Sequence, residues 1–229
     1  PQSNTNGEIN THETNLARTA LEVAQESYPE IDIDRYLKKL DGIVENIRTS
    51  LGDEIEPEQI IKAINLVVFN ELQFQYVQRG DLDSISLNRV MDTKIGNCVG
   101  LSILYLCIAE GLYLPIYGVS VPEHVFLRYD EGDFRKNIET GYEGMATPDS
   151  YYVNMSGKRI SQTSIKNRYY LKNLTTNEVI ANIYLNRSII QKEKGNVNAA
   201  VKDVNHAIEL HGNDAVAFCN RGVIYEKMK

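Results

Sequence analysis

Apolar side chains recur every three to four residues through most of the first ninety positions, a spacing typical of amphipathic helices. One apolar stripe runs from residue 16 to 24 and ends ahead of Tyr28-Pro29. A second runs from 36 to 47, with Asp34 as its expected N-cap. A third begins at Pro57, a residue that the first helical turn tolerates. The pattern therefore predicts a mainly helical N-terminal part.

The next segment is apolar on nearly every side. A short helix is expected from Ser86 to Met91, and a polar loop, 92–97, leads to Cys98. From Val99 to Ala109 almost every residue is hydrophobic, which indicates a helix buried all round. Cys98 is therefore expected in the first turn of a buried helix.

After Pro115 the pattern changes to alternating β-branched and aromatic residues. It predicts a small antiparallel sheet with strands at 116–121, 124–129 and 134–139. The turn between the last two strands can have two residues, Glu131 and Gly132, or four, and in either case paired residue numbers sum to 263. His124 is then expected opposite Glu139, with their Cβ atoms about 5 Å apart.

The end of the chain repeats itself with a period of 34 residues. The first copy comprises Ala181, Tyr184, Asn186, Arg187, Ser188 and Ile190, and the second comprises Ala215, Phe218, Asn220, Arg221, Gly222 and Ile224. This period is typical of tetratricopeptide repeats. The second copy stops at Lys229 after one predicted helix, so the repeat array is expected to be truncated.

These patterns together predict an α+β fold in three parts. Residues 1–13 form a flexible lead-in. Residues 14–175 form one domain, mainly helical over 14–92, with the Cys-bearing helix and the antiparallel sheet over 93–160. Residues 176–229 form the α-helical repeats.

Composition narrows the class of protein. The 229 residues carry a formal net charge of −7, and no stretch concentrates basic residues, so a nucleic-acid partner is not expected. No apolar run is long enough to span a membrane. The chain is expected to be soluble; a cytoplasmic location and export after removal of a signal peptide both fit. The three cysteines show no C-x-x-C spacing and are interpreted as free thiols.

Among those thiols, Cys98 has the surroundings that could make it reactive. Backbone amides at a helix start favour a thiolate, and a carboxylate beside a histidine can orient the ring and stabilise its charge. The plainer alternatives are a buried structural cysteine and a surface His–Glu pair of little consequence. Cys107, on the opposite side of the same helix, and Cys219, in a repeat helix, are expected only to pack. The pairs Tyr151-Tyr152 and Tyr169-Tyr170 could line a substrate groove, but half-buried framework is the favoured interpretation.

Three runs carry a family resemblance: LNRVMDTKIGNCVGLSILY at 87–105, GVSVPEHVFLR at 118–128 and NIETGYEG at 137–144. They resemble the transglutaminase-like core, and more narrowly the bacterial branch in which tetratricopeptide repeats follow that core. The resemblance implies a papain-like triad with Cys98 as nucleophile, His124 as general base and then acid, and Glu139 as orienting carboxylate. Many superfamily members have aspartate in the third position, where this chain has the longer glutamate.

The resemblance implies a thiol hydrolase or transferase that acts on peptide or amide bonds through a thioester, with hydrolysis favoured over cross-linking. A protein or peptide is the expected substrate or partner, and no cofactor or metal is expected. The alternative is a non-catalytic protein-binding module made of a degenerate core and the repeats. The side-chain donor of an oxyanion hole is not identified, and Asn97 and Asn88 are candidates.

Overall fold

The predicted helices and sheet combine into an α+β fold. The structure, a computed structural model, describes residues 15–52, 56–78, 80–155 and 160–227. Its α-helices are α1 (Leu16–Gln25), α2 (Ile33–Leu51), α3 (Pro57–Asn65), α4 (Leu82–Ile85), α5 (Leu87–Thr93), α6 (Cys98–Gly111), α7 (Asp149–Val153), α8 (Gln162–Lys166), α9 (Thr176–Glu193), α10 (Val197–Leu210) and α11 (Ala215–Glu226). A π-helical segment (Leu66–Glu71) continues α3, and a 3₁₀ turn (Thr140–Tyr142) follows the last strand. Its strands are β1 (Gln75–Tyr76), β2 (Ile95–Gly96), β3 (Ile116–Val121), β4 (His124–Glu131) and β5 (Phe134–Ile138). The predicted lead-in at 1–13 lies outside the described residues.

The first helices begin close to where the sequence places them. Pro57 is the first residue of α3, as predicted. The predicted cap of α2 is wrong: Asp32, not Asp34, is the N-cap, and its carboxylate accepts from the N–H of Arg35 at 3.1 Å. The two aspartates are two residues apart, and only Asp32 has the extended backbone that a cap requires. The helix therefore begins two residues earlier.

Helix α6 is the centre of the main core. Every side chain from Val99 to Ala109 is buried, as the continuous apolar run predicts. Helices α1, α2 and α5 pack on α6, and so do strands β3 and β4. Cys98 is the first residue of this helix, so the packing around α6 fixes its position.

The antiparallel sheet has the order β3-β4-β5. One face, with Leu127 and Ile138, joins the core around α6. The other face, with Phe126, is covered by Tyr152 of α7 and Leu171. A short parallel pair, β1 with β2, was not expected from the sequence and lies directly before α6.

Helices α9, α10 and α11 follow one another as a packed series. Ala181, Ala200 and Ala207 are buried where α9 meets α10. The side chain of Arg187 in α9 is 5% exposed and forms an ion pair with Asp203 of α10. Whether these helices are tetratricopeptide repeats, and where the domain boundary lies, stay predictions.

Membrane-spanning helices are absent from the described part of the chain, where no helix is both long and apolar enough.

Gly100, in the first turn of α6, lies against the backbone of α4. A Cβ atom at this position would be 2.1 Å from the carbonyl oxygen of Ser84 and 2.9 Å from Val90 Cγ2. We expect Gly100→Ala to lower the free energy of unfolding by about 1–3 kcal/mol or more through overpacking. Urea denaturation monitored by circular dichroism measures the effect.

The matched control is Gly42→Ala in the interior of α2, where a new Cβ would meet nothing within 4 Å. Alanine in an open helix interior is more favourable than glycine by about 0.5–1 kcal/mol, so this variant is expected to be slightly more stable than the wild type. Equal stability of the two variants would contradict the close contact at Gly100.

Candidate active site

Cys98 is the first residue of α6, and Asn97 caps that helix. The Oδ1 atom of Asn97 accepts from the N–H groups of Val99 and Gly100 at 2.9 and 3.0 Å. The thiol is partly exposed. Among the described residues, no acceptor pairs with the N–H of Cys98. This donor lies at the positive end of the helix, where it can stabilise an anionic oxygen.

His124 and Glu139 form a buried pair. The Nε2 atom of His124 lies 2.7 Å from Glu139 Oε2. Glu139 Oε2 also accepts from the hydroxyl of Tyr152 at 2.9 Å, and Glu139 Oε1 accepts from the N–H of Gly141 at 2.8 Å. Glu139 is 2% exposed. Three donors therefore surround one buried carboxylate, as a buried charge requires.

The pairing of β4 with β5 differs from the predicted pairing by two residues. Glu131 pairs with Phe134, so paired numbers sum to 265, and the sum of 263 is wrong. The loop is Gly132 and Asp133, with Gly132 at φ +56°, because two-residue hairpin turns need a positive φ at the first loop position. A shift of two residues keeps every side chain on its predicted face. His124 and Glu139 therefore still meet, as diagonal neighbours beyond the end of β5.

The third predicted site residue contacts this pair. Cys98 lies beside the ring of His124, where it contributes with Glu139 to raising the pKa of the ring, and Cys98 and His124 line the same cavity. The structure thus brings Cys98, His124 and Glu139 together.

Cys98 and His124 open onto a large groove. The cavity has a volume of about 1030 Å³ and extends from these two residues to α9 and α11. We call it the interhelical groove; its walls include Val121, Glu123, Lys172, Asn182, Asn186 and Asn220. A substrate bound there has direct access to the thiol.

Comparison with known families identifies the fold. The model of the transglutaminase-like superfamily matches residues 34–192. The chain belongs to the transglutaminase-like superfamily. The match extends from α2 into the last turn of α9 and includes all three candidate site residues.

Several curated proteins are similar to this superfamily member. A UPF0162 protein of Xylella fastidiosa is 28% identical over 120 residues, which are 52% of this chain and 43% of that protein. A UPF0162 protein of Pseudomonas aeruginosa is 25% identical over 217 residues, 93% of this chain and 78% of that protein. Human F-box only protein 21 is 25% identical over 152 residues, 65% of this chain and 23% of that protein. The match thus spans less than half of the Xylella relative.

One solved structure shares the fold. A crystal structure of menin, which reveals the binding site for Mixed Lineage Leukemia protein on menin, aligns with 93% of this chain and 57% of the menin chain. The TM-score is 0.53 and the sequence identity is 12%, so the likeness concerns the fold alone.

The charge of His124 depends on its two neighbours. Burial of the ring acts to lower its pKa, because it disfavours the charged form. Interactions with Cys98 and with the hydrogen-bonded carboxylate of Glu139 act in the opposite direction and outweigh burial. They raise the pKa of His124 from 6.5 to about 9. At neutral pH the superfamily member therefore holds an imidazolium between a thiol and a carboxylate.

Two tyrosines near this site were not expected from the sequence. Tyr152, interpreted there as framework, is 1% exposed, stacks on Phe126 at 3.7 Å and donates its hydroxyl to Glu139. Burial and the nearby Glu139 raise the pKa of Tyr152, so its phenol stays protonated. Tyr76 of β1 is also close: burial first, and then the charges of Cys98 and Glu139, raise its pKa to about 12. No local motif marks either residue, since both reach the site through tertiary packing.

The remaining candidates lie elsewhere. Cys107 is buried in the core, as predicted, whereas Cys219 is exposed, so its predicted packing role is wrong. Asn97 uses its side-chain oxygen as the helix cap, and Asn88 is buried on α5 with an Oδ1 that no described donor pairs. Within the described ranges, no cluster of three His, Cys, Asp or Glu side chains could hold a metal ion.

Proposed function

We propose that the protein is a thiol enzyme that hydrolyses amide bonds through a Cys98–His124–Glu139 triad. One observation carries the proposal: a single imidazole lies beside a partly exposed thiol and 2.7 Å from a buried carboxylate. An imidazolium beside a cysteine favours the thiolate, which is the nucleophilic form. Membership in the transglutaminase-like superfamily supports the same chemistry.

The proposed reaction has two halves. The Cys98 thiolate attacks the amide carbon, and the oxyanion that forms accepts from the N–H of Cys98. His124 donates its proton to the leaving amine, and an acyl thioester remains on Cys98. His124 then takes a proton from water, which attacks the thioester and breaks its C–S bond; the acid is released, and Cys98 leaves as the thiolate beside the protonated ring. An amine in place of water would give transfer instead of hydrolysis.

We also propose that α9 and α10 form one tetratricopeptide repeat and that α11 begins the next. The 34-residue sequence period and the small buried residues between α9 and α10 support this proposal.

Alkylation by iodoacetamide tests the reactivity of Cys98. Near pH 6 an ordinary exposed thiol is less than about 1% ionised, whereas a thiol paired with an imidazolium reacts as a thiolate. We expect Cys98 to be labelled about 10- to 100-fold faster than Cys219, even though Cys219 is the more exposed of the two. Peptide mass spectrometry over time gives both rates.

The control is His124→Ala, which should slow the labelling of Cys98 and leave that of Cys219 unchanged. Profiling a peptide library with the wild type and with Cys98→Ala then identifies Cys98-dependent cleavage or deamidation. Equal, slow labelling of Cys98 and Cys219 would favour the alternative, a protein-binding module without catalysis.

A further inference from the structure

The interhelical groove is larger than a typical small-molecule site. Such sites occupy about 300–1,000 Å³ and are mostly apolar, whereas this groove has about 1030 Å³ and many polar side chains. It begins at Cys98 and continues along α9. A ligand that follows this lining from α9 passes over the thiol.

Amide side chains dominate the polar surface of the groove. Seven asparagines line it: Asn167, Asn173, Asn177, Asn182, Asn186, Asn213 and Asn220. An asparagine amide offers both an acceptor and donors, and each residue of a polypeptide backbone likewise carries one donor and one acceptor. The groove therefore matches the hydrogen-bonding groups of a peptide backbone.

Asn182 and Asn186 supply acceptors in a fixed arrangement. The Nδ2 of Asn182 donates to the carbonyl of Glu178 at 3.0 Å, and the Nδ2 of Asn186 donates to the carbonyl of Asn182 at 2.9 Å. These bonds hold both amides against α9. Among the described residues, no donor pairs with either Oδ1 atom, so both oxygens are available to a ligand.

The spacing of these two oxygens suits an extended chain. Four residues of helix rise about 6.0 Å, and two residues of an extended strand advance about 6.6–6.8 Å. N–H groups that point to one side of an extended peptide recur at this two-residue interval. Asn182 and Asn186 can therefore accept from two successive N–H groups on that side, while Leu185 and Ile189 give apolar contact beside them.

The charges of the groove and the pairing of β3 argue against a strongly charged ligand and against a ligand added to the sheet as a strand. Among the groove-wall residues, Arg168, Lys172 and the imidazolium of His124 are basic, and Glu123, Glu178 and Asp214 are acidic. This balance disfavours a strongly anionic or cationic ligand. The edge of β3 that faces away from β4 is already hydrogen-bonded: the N–H groups of Leu171 and Leu174 donate to the carbonyls of Ser120 and Gly118. A ligand cannot be added there as a new strand, so side chains must make the contacts.

We propose that the interhelical groove binds an extended segment of polypeptide through its backbone, with Asn182 and Asn186 accepting from alternate N–H groups. The segment lies with one of its amides at Cys98. The substrate class is therefore an unstructured peptide or a protein tail rather than a small free amide. This assignment rests on the proposed function for the chemistry, but the binding itself does not need the thiol.

The test uses Cys98→Ala protein, which binds without turnover. A library of random 12-residue peptides displayed on phage is selected on this protein, and the enriched peptides are measured as synthetic ligands by fluorescence anisotropy. Adding Asn182→Ala and Asn186→Ala should weaken binding about tenfold or more, since two hydrogen bonds are lost. N-methylation of the two paired backbone amides in the peptide should have the same effect on the parent protein and little effect on the asparagine variant.

The matched control is Asn46→Ala, an exposed asparagine on α2 outside the groove, which should leave affinity unchanged. Circular dichroism verifies that each variant folds. Absence of enriched peptides, or equal affinity for the double asparagine variant, overturns the proposal. Peptide binding without Cys98-dependent turnover in the wild type would support the groove and overturn only the proposed enzyme.

Discussion

Replacing Glu139 by glutamine is expected to slow the alkylation of Cys98 at pH 7 by one to three orders of magnitude. An opposite charge within about 4–6 Å shifts a pKa by 1–3 units, and Glu139 is the carboxylate that contacts His124. Without that charge, burial and only the neighbouring Cys98 act on His124, so the pKa of the ring falls and it is charged over a narrower pH range. The proposed activation of Cys98 by the charged ring is then weakened.

A glutamine side chain at position 139 also cannot accept all the hydrogen bonds that the carboxylate of Glu139 accepts. The carboxylate accepts from Gly141 at one oxygen, and from His124 and Tyr152 at the other. A glutamine has only one acceptor oxygen, so its NH₂ group must face at least one of these donors. Either the ring of His124 and the hydroxyl of Tyr152, or the N–H of Gly141, therefore loses its acceptor.

The pH dependence distinguishes this effect from simple unfolding. The wild type should react through the range in which His124 is charged, up to about pH 9. At pH 10 and above thiols ionise without help, so the rates of the wild type and Glu139→Gln should converge. Glu143→Gln, an exposed change four residues along the chain, is the control and should follow the wild type. A Glu139→Gln profile identical to that of the wild type would show that Glu139 does not support the site.

The Arg187→Met substitution is expected to lower the free energy of unfolding by about 3–5 kcal/mol, the usual cost of leaving a buried charge without its partner. Arg187 Nε and Nη2 bond the carboxylate of Asp203 at 2.8 and 2.6 Å, and Asp203 is 3% exposed. The same guanidinium donates to Val23 O at 2.8 Å and to Glu26 at 2.9 Å. Arg187 thus ties α9 both to α10 and to α1.

Guanidinium chloride denaturation measures this decrease in the free energy of unfolding, and two further variants identify its cause. Arg187→Met with Asp203→Leu should recover much of the stability, because no uncompensated charge remains. Arg221→Met removes the residue 34 positions later, which is less buried and makes one 3.2 Å bond to Asn205; it should cost no more than about 1 kcal/mol. A loss as small for Arg187 as for Arg221 would contradict a structural role for the buried network.

The parts of the site that local patterns encode could be predicted from the sequence. The apolar run after Cys98 indicates a buried helix, and the alternation around His124 indicates a strand, because each pattern follows from a single element. The pairing of β4 with β5 was missed by two residues, since the choice of Gly132 as the first loop residue depends on backbone conformation. Because the pairing is shifted by two residues, an even number, the side chains of His124 and Glu139 remain on the same face of the sheet.

Contacts between distant segments could not be predicted in this way. Tyr152 reaches Glu139 across a connection whose path no local pattern determines. The groove likewise combines residues from α6, the sheet and α9, and only the folded chain brings these together. The sequence showed a period in the C-terminal helices, but not that Asn182 and Asn186 face the thiol end of the molecule.

Glu139 also has a structural role, which Cys98 lacks: its carboxylate caps the turn Thr140–Tyr142 by accepting from the N–H of Gly141. In a descendant that no longer needs the chemistry, a substitution of Glu139 would still destabilise the fold. A substitution of Cys98 would cost little stability, because its partly exposed thiol supports no described backbone group. We expect descendants that have lost activity to retain the acid and to vary at the cysteine position. If the proposed chemistry is correct, a change at Cys98 is therefore expected to report its loss better than a change at Glu139 does.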